Sequence, residues 1–227
     1  MQFIETASYQ RPFASNDSSS LTIPPSWQQY RHPNGDIYYY NPLLRLITPE
    51  DIRDPAMLEF VLDAREDHIQ CLEDDSSISN LPDDWELTLS DVTDSSAVIG
   101  MHSRKMGLSY EWAEDKGLEI MNPEHFWSHV AEYPSHHEDL PPNTEAAFIQ
   151  ALTDAKMSLD NGSTLPFTTS QIDQMIQRYQ VLKALQAEGK AVVPALAWLM
   201  GVVMPLEAYE GAYTDETLQE LMERLRF

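Results

Sequence analysis

Residues 23–49 read IPPSWQQYRHPNGDIYYYNPLLRLITP. Asn34-Gly35 is a strong two-residue turn signal, because both residues tolerate positive φ. Aromatic residues flank it on both sides, from Trp27 before the turn to the three tyrosines at 38–40 after it. This pattern predicts a β-hairpin. Pro42 cannot donate to a ladder and ends the second strand or sits on its edge. Leu43 to Thr48 then supply a short third strand. Three such strands hold a very small core and need further packing to be stable.

The spacing resembles that of a WW domain. Pro24 lies three residues before Trp27, Gly35 eight after it, and Tyr38-Tyr39 and Asn41 follow at the expected places. The resemblance implies a ligand face of Tyr38, Tyr40 and Pro49, and a module core of Pro24, Trp27 and Tyr39. Pro42 stands where the family has its ligand-side histidine. Leu44 and Ile47 replace threonines, and Pro49 replaces the second tryptophan. A WW groove grips proline-rich peptides between aromatic rings, and loss of one anchor costs roughly 2 kcal/mol or more. A second, more degenerate copy opens at residues 81–86, LPDDWE, where Pro82 and Trp85 take the core places. Strands are expected up to Leu89, over 97–103 and over 106–112.

Helices are expected wherever a cap precedes an amphipathic run. Asp54-Pro55 opens one that runs to about residue 73 and contains Cys71, the single cysteine, read as a packing residue. Asn122-Pro123 opens a second, which ends at Pro134. A third is capped by Asn143 or Thr144, a fourth by the stretch Thr168 to Ser170, and a last one starts near Thr214. Residues 191–206, AVVPALAWLMGVVMPL, are uncharged but short of the ~20 residues that span a bilayer. They are read as a buried core helix, with a membrane-surface or partner-docking segment as the alternative.

The order of these features resembles a family of uncharacterised WW-domain-containing proteins of mushroom-forming (basidiomycete) fungi. The matching stretches are PPSW…HPNGDIYYY, LITPEDIRDP, LPDDWEL and FWSHVAEYPSHH, within residues 21–189. That family supplies architecture and no reaction. The expected fold class is α+β and predominantly helical, with one or two small three-stranded WW-like β modules followed by a helical bundle. The divisions are a flexible arm (1–20), a WW-like module (21–54), a helix and polar linker (55–80), a second module (81–113), a helical bundle (122–189) and C-terminal helices (190–227).

Fourteen basic and 37 acidic residues give a net charge of −23, concentrated between residues 55 and 160. Such a surface repels nucleic acid. One cysteine permits no intrachain disulfide, and the start of the chain lacks a signal-peptide pattern. An intracellular, cytoplasmic protein is expected. The principal functional expectation is a non-catalytic protein–protein interaction or scaffold protein, with a proline-rich or basic peptide as partner, no catalytic residue and no cofactor. The alternative is a histidine-based metal-binding enzyme built on region 125–139. His125 and His129 lie four apart on one helical face, and His136 is close in sequence, a set able to hold Zn²⁺. His137, Glu138 and Asp139 follow directly. The His-Glu-x-x-His arrangement is absent, and so are phosphate-binding glycine loops and nucleophile elbows.

Overall fold

Three antiparallel strands do form from the opening stretch in the computed structural model, which describes residues 22–162, 165 and 167–204. Strand β1 (Gln28–Arg31) pairs with β2 (Ile37–Asn41), and β2 pairs with β3 (Leu46–Thr48). The turn lies at Asn34-Gly35, where Gly35 takes φ 102°. Helix α1 (Pro55–Asp74) follows. The Asp54 side chain accepts from the Ala56 N–H, and Pro55 occupies the first turn, where its missing donor costs nothing. A 3₁₀ turn at Ser77–Asn80 leads into β4 (Trp85–Ser90), β5 (Val98–Ser103), β6 (Leu108–Ala113) and β7 (Gly117–Ile120).

These strands form one seven-stranded sheet in sequence order. Every pairing is antiparallel except β3 with β4, which is parallel through Leu46↔Leu87 and Ile47↔Thr88. A parallel pair needs a long crossover, and α1 supplies it. The expectation of one or two separate WW-like modules ahead of a helical bundle is therefore corrected. The β3 edge of the first meander and the β4 edge of the second would each present unpaired backbone groups, and they pair with each other instead. The second meander also gains a fourth strand, β7, which its sequence pattern did not announce.

The two faces of the sheet differ in chemistry. One face carries Tyr39, Leu46, Leu87, Leu89, Met101 and Tyr110, packed with Trp27 and with Val61 and Leu72 of α1. Pro24, Pro82 and Trp85 are half-buried, and Trp85 packs against this core. The expected module core thus exists as part of a larger one. The opposite face carries Tyr38, Tyr40, Ile47, Glu86, Thr88, His102 and Ser109, because side chains alternate across each strand.

Helix α2 (Pro123–Glu132) covers that polar face and stops at Tyr133, since Pro134 follows. Helices α3 (Thr144–Asp160), α4 (Thr169–Ala187) and α5 (Val193–Val203) build a second core from Phe148, Leu152, Ile172, Met175, Leu196 and Leu199. A capping box between Thr168 and Gln171 starts α4. Eight of the eleven residues of α5 are buried, so the apolar run is a core helix. Among the described residues no helix is long and apolar enough to cross a membrane. The helix expected from Thr214 and the arm at 1–20 lie outside the described residues.

Helix α2 joins the two halves, and Gly201 sets how close α5 approaches it. A Cβ at Gly201 would lie 2.6 Å from the Ala131 nitrogen and 2.8 Å from the Trp127 carbonyl oxygen. Both are backbone atoms and cannot swing aside. Gly201→Val gains a few tenths of a kcal/mol in helix propensity but forces the helices apart at a cost of about 2 kcal/mol or more. Urea unfolding should show that net loss; an unchanged midpoint would mean that the α2–α5 contact relaxes freely.

Candidate metal centre

The polar face of the sheet is built around Glu86. Trp85, Leu87 and Leu89 point into the α1-side core, so strand alternation drives Glu86 and Thr88 to the opposite side. There α2 and the loop after it close over them, leaving the Glu86 side chain 4% exposed. Cross-strand register sets His102 directly opposite Glu86, and Ser109 opposite His102.

Three imidazoles converge on the Glu86 carboxylate. His129 Nε2 lies 3.1 Å from Oε1, His136 Nε2 3.3 Å and His137 Nε2 3.0 Å. His136 Nε2 is also 3.4 Å from Oε2. His129 comes from α2; His136 and His137 come from the loop beyond Pro134. That loop is pinned to the first hairpin. The Ser135 N–H donates to the Tyr38 hydroxyl at 2.7 Å, and the Ser135 hydroxyl donates to the Arg31 carbonyl at 2.8 Å. Further on, the Arg104 guanidinium donates to the Asp139 carbonyl oxygen.

The carboxylate fixes the tautomers, because an ionised Glu86 can only accept from the Nε2 atoms that face it. The Tyr38 hydroxyl, already accepting from Ser135, donates to His136 Nδ1 at 3.1 Å, and the Thr88 hydroxyl donates to His129 Nδ1 at 3.3 Å. Both rings therefore carry their proton on Nε2, facing Glu86. His102 stacks on His129 with centroids 3.7 Å apart and planes 9° off parallel, and its Nδ1 bonds the Ser109 hydroxyl at 2.7 Å. Gly100 makes room for that ring, because a Cβ there would lie 2.6 Å from His102 Nε2.

Burial alone would push the Glu86 carboxyl up. The hydrogen bonds from His129, His136 and His137 outweigh it and hold the group well below the usual carboxylate range. Burial pushes His136 down to about 4, lowers His129, and takes His102 well below the ordinary imidazole range. Desolvation also lowers the Arg104 guanidinium to about 10. The cluster thus holds one anion beside the uncharged, buried imidazoles of His102, His129 and His136.

Glu86, His136 and His137 offer ligand atoms that all lie within 4.8 Å of one another. The Glu86–imidazole separations of 3.0–3.4 Å match the donor–donor spacing of roughly 3.3 Å around an ion bound at 2.0–2.1 Å. A cleft of about 400 Å³ opens beside them, lined by Glu86, His137, Arg104, Lys105 and Arg45 among others.

Of the histidines singled out in the sequence, His136 belongs to the donor set. His129 supports it through Glu86, and His125 is exposed on α2. Glu86 and His137 complete the set. Glu86 was read only as part of a WW-like opening, and nothing in its local pattern distinguishes a buried carboxylate from a solvent-facing strand residue. Of the expected ligand face, Tyr38 is 2% exposed and meets Tyr133 edge to face, Tyr40 packs on His136, and only Pro49 is exposed. Tyr133, Ser135 and His136, from just beyond α2, cover the Tyr38 ring; the separate WW module fails because its strands belong to one seven-stranded sheet. Comparison with family models, with curated proteins and with solved structures gives no match.

The downward shifts fix a pH dependence for the metal-free protein. Between pH 6.5 and about 4 the unfolded chain binds a proton at position 136 that the folded chain refuses, so stability rises with pH across that window. It is complete above 6.5 and lost as pH falls toward 4. Glu86 adds a second loss below its ordinary 4.5, as pH falls through its depressed value. His136 alone accounts for on the order of 3 kcal/mol. Urea unfolding in EDTA at pH 7 and pH 4.5 should show a steep decline that flattens in His136→Asn. Equal declines in both proteins would refute the assignment.

Proposed function

We propose that this protein binds a single divalent transition-metal ion, of the zinc type, through Glu86, His136 and His137. The observation that carries this reading is the crowding of three imidazole nitrogens on one carboxylate oxygen. An oxygen with two lone pairs cannot satisfy three N–H donors well. A cation among these atoms resolves the conflict: two nitrogens and one oxygen become ligands, and His129 keeps its N–H bond to Glu86.

Two nitrogens and a carboxylate oxygen suit zinc-type ions and leave a coordination position free, as in catalytic rather than closed structural sites. The surroundings supply the supporting contacts that such ligands need. His136 gives up its Nε2 proton, takes the Nδ1–H tautomer and donates to the Tyr38 oxygen 3.1 Å away. His129 orients the carboxylate, with its own Nδ1 held by Thr88. Glu86 is already ionised and His136 already neutral in the folded protein, so neither has to lose a proton before an ion binds. The free position faces the cleft, because Glu86 and His137 both line it.

Titration of EDTA-treated protein with Zn²⁺ by calorimetry should give one saturable site, and Co²⁺ should give visible bands of low-symmetry coordination. Glu86→Gln keeps the shape but loses the charge and should weaken binding roughly tenfold to a hundredfold or more, as should His137→Ala. His125→Ala should change nothing. No saturable binding, or equal loss in His125→Ala and His137→Ala, would rule out this centre.

A further inference from the structure

Arg104 stands out beside the centre. Its side chain is only 10% exposed, yet its buried Nε has no hydrogen-bond partner. The nearest acid is Asp139, whose Oδ1 is 4.0 Å away, beyond hydrogen-bond reach, on a side chain that is 89% exposed. One terminal nitrogen is spent on the Asp139 carbonyl. A guanidinium buried to this depth needs an anion on its remaining donors. Glu86 is the one deeply buried carboxylate lining the same cleft, and its oxygens are taken up by the histidines.

Charge counting at the loaded centre sharpens the need. A divalent ion brings two positive charges beside the guanidinium, and Glu86 offsets only one. The cleft wall adds Arg45 and Lys105, set against the carboxylates of Asp83, Asp84 and Asp139. Tyr40, Pro42, Leu140, Pro141 and Pro142 also line it, giving an apolar flank to a small organic body.

Resting on the metal centre proposed above, we infer that the cleft takes a small molecule bearing an oxyanion, a carboxylate or phosphoryl group. One of its oxygens fills the free position on the metal, and another accepts from Arg104. Arg suits this bridge because its fork presents parallel donors to two oxygens of one anion. Arg104 is then a ligand-positioning residue.

The test uses the full-length protein loaded with Co²⁺, titrated separately with acetate and with inorganic phosphate while the visible bands are followed. Saturable band shifts are expected, and the tighter of the two anions identifies the favoured group. Arg104→Met, measured on protein saturated with Co²⁺, should weaken anion binding roughly tenfold to a hundredfold. Lys105→Met, at the exposed rim, should change anion affinity by less than about threefold. If Arg104→Met does not fold, Arg104→Lys keeps the charge without the fork and should still lose roughly tenfold. Co²⁺ bands that no anion moves, or anion affinity unchanged in the Arg104 variant, would overturn this inference while leaving the metal centre intact. Absence of Co²⁺ bands in the unmodified protein would instead overturn the metal centre, and this inference with it.

Discussion

Two rungs of parallel pairing, Leu46↔Leu87 and Ile47↔Thr88, join β3 to β4, and the Leu87 N–H reaches across to the Arg45 carbonyl at 2.8 Å. Each meander alone would have a small apolar face and an open edge. Fused, they share one face broad enough for α1 and present a second face broad enough for α2. The short pairing also sets the site, because the rung that aligns Ile47 with Thr88 fixes which side of the sheet Glu86 occupies.

Burying a carboxylate on that second face is expensive unless it is paired or hydrogen-bonded. Here the compensation comes from three separate places: the C-terminal half of α2 for His129, the adjoining loop for His136 and His137, and the opposite strand for the Ser109-anchored His102. His129, His136 and His102 are held in turn by the hydroxyls of Thr88, Tyr38 and Ser109 from the sheet. Such nested support orders ring orientations in advance, which is what a metal site requires of its ligands. It also explains why the α2 face is polar where an ordinary sheet–helix contact would be aliphatic.

The helical half serves this arrangement indirectly. Gly201 lets α5 lie against the α2 backbone, and the His32 ring at the tip of the first hairpin bonds the Ala131 carbonyl at 2.7 Å while its edge meets Trp198. The hairpin, α2 and α5 are thereby locked together around the loop that carries His136 and His137.

Much of the local structure was legible in the chain itself. Asn34-Gly35, Asp54-Pro55, Asn122-Pro123 and Thr168 through Gln171 mark turns and caps by chemistry that acts within a few residues. The burial of residues 193–203 follows from their composition. The partnership of β3 with β4 was not legible, because edge pairing between strands some forty residues apart leaves no local periodicity. For the same reason Tyr38 read as a ligand-facing ring, although Tyr133 and the loop after α2 lie on it. His136 and His129 were visible as candidates through their spacing. Glu86 was not, since an acidic residue alternating with Trp85 and Leu87 looks solvent-facing until a helix from far along the chain closes over it. Short-range forces wrote the elements into the sequence; burial, which depends on what arrives from elsewhere, decided which of their polar residues became a site.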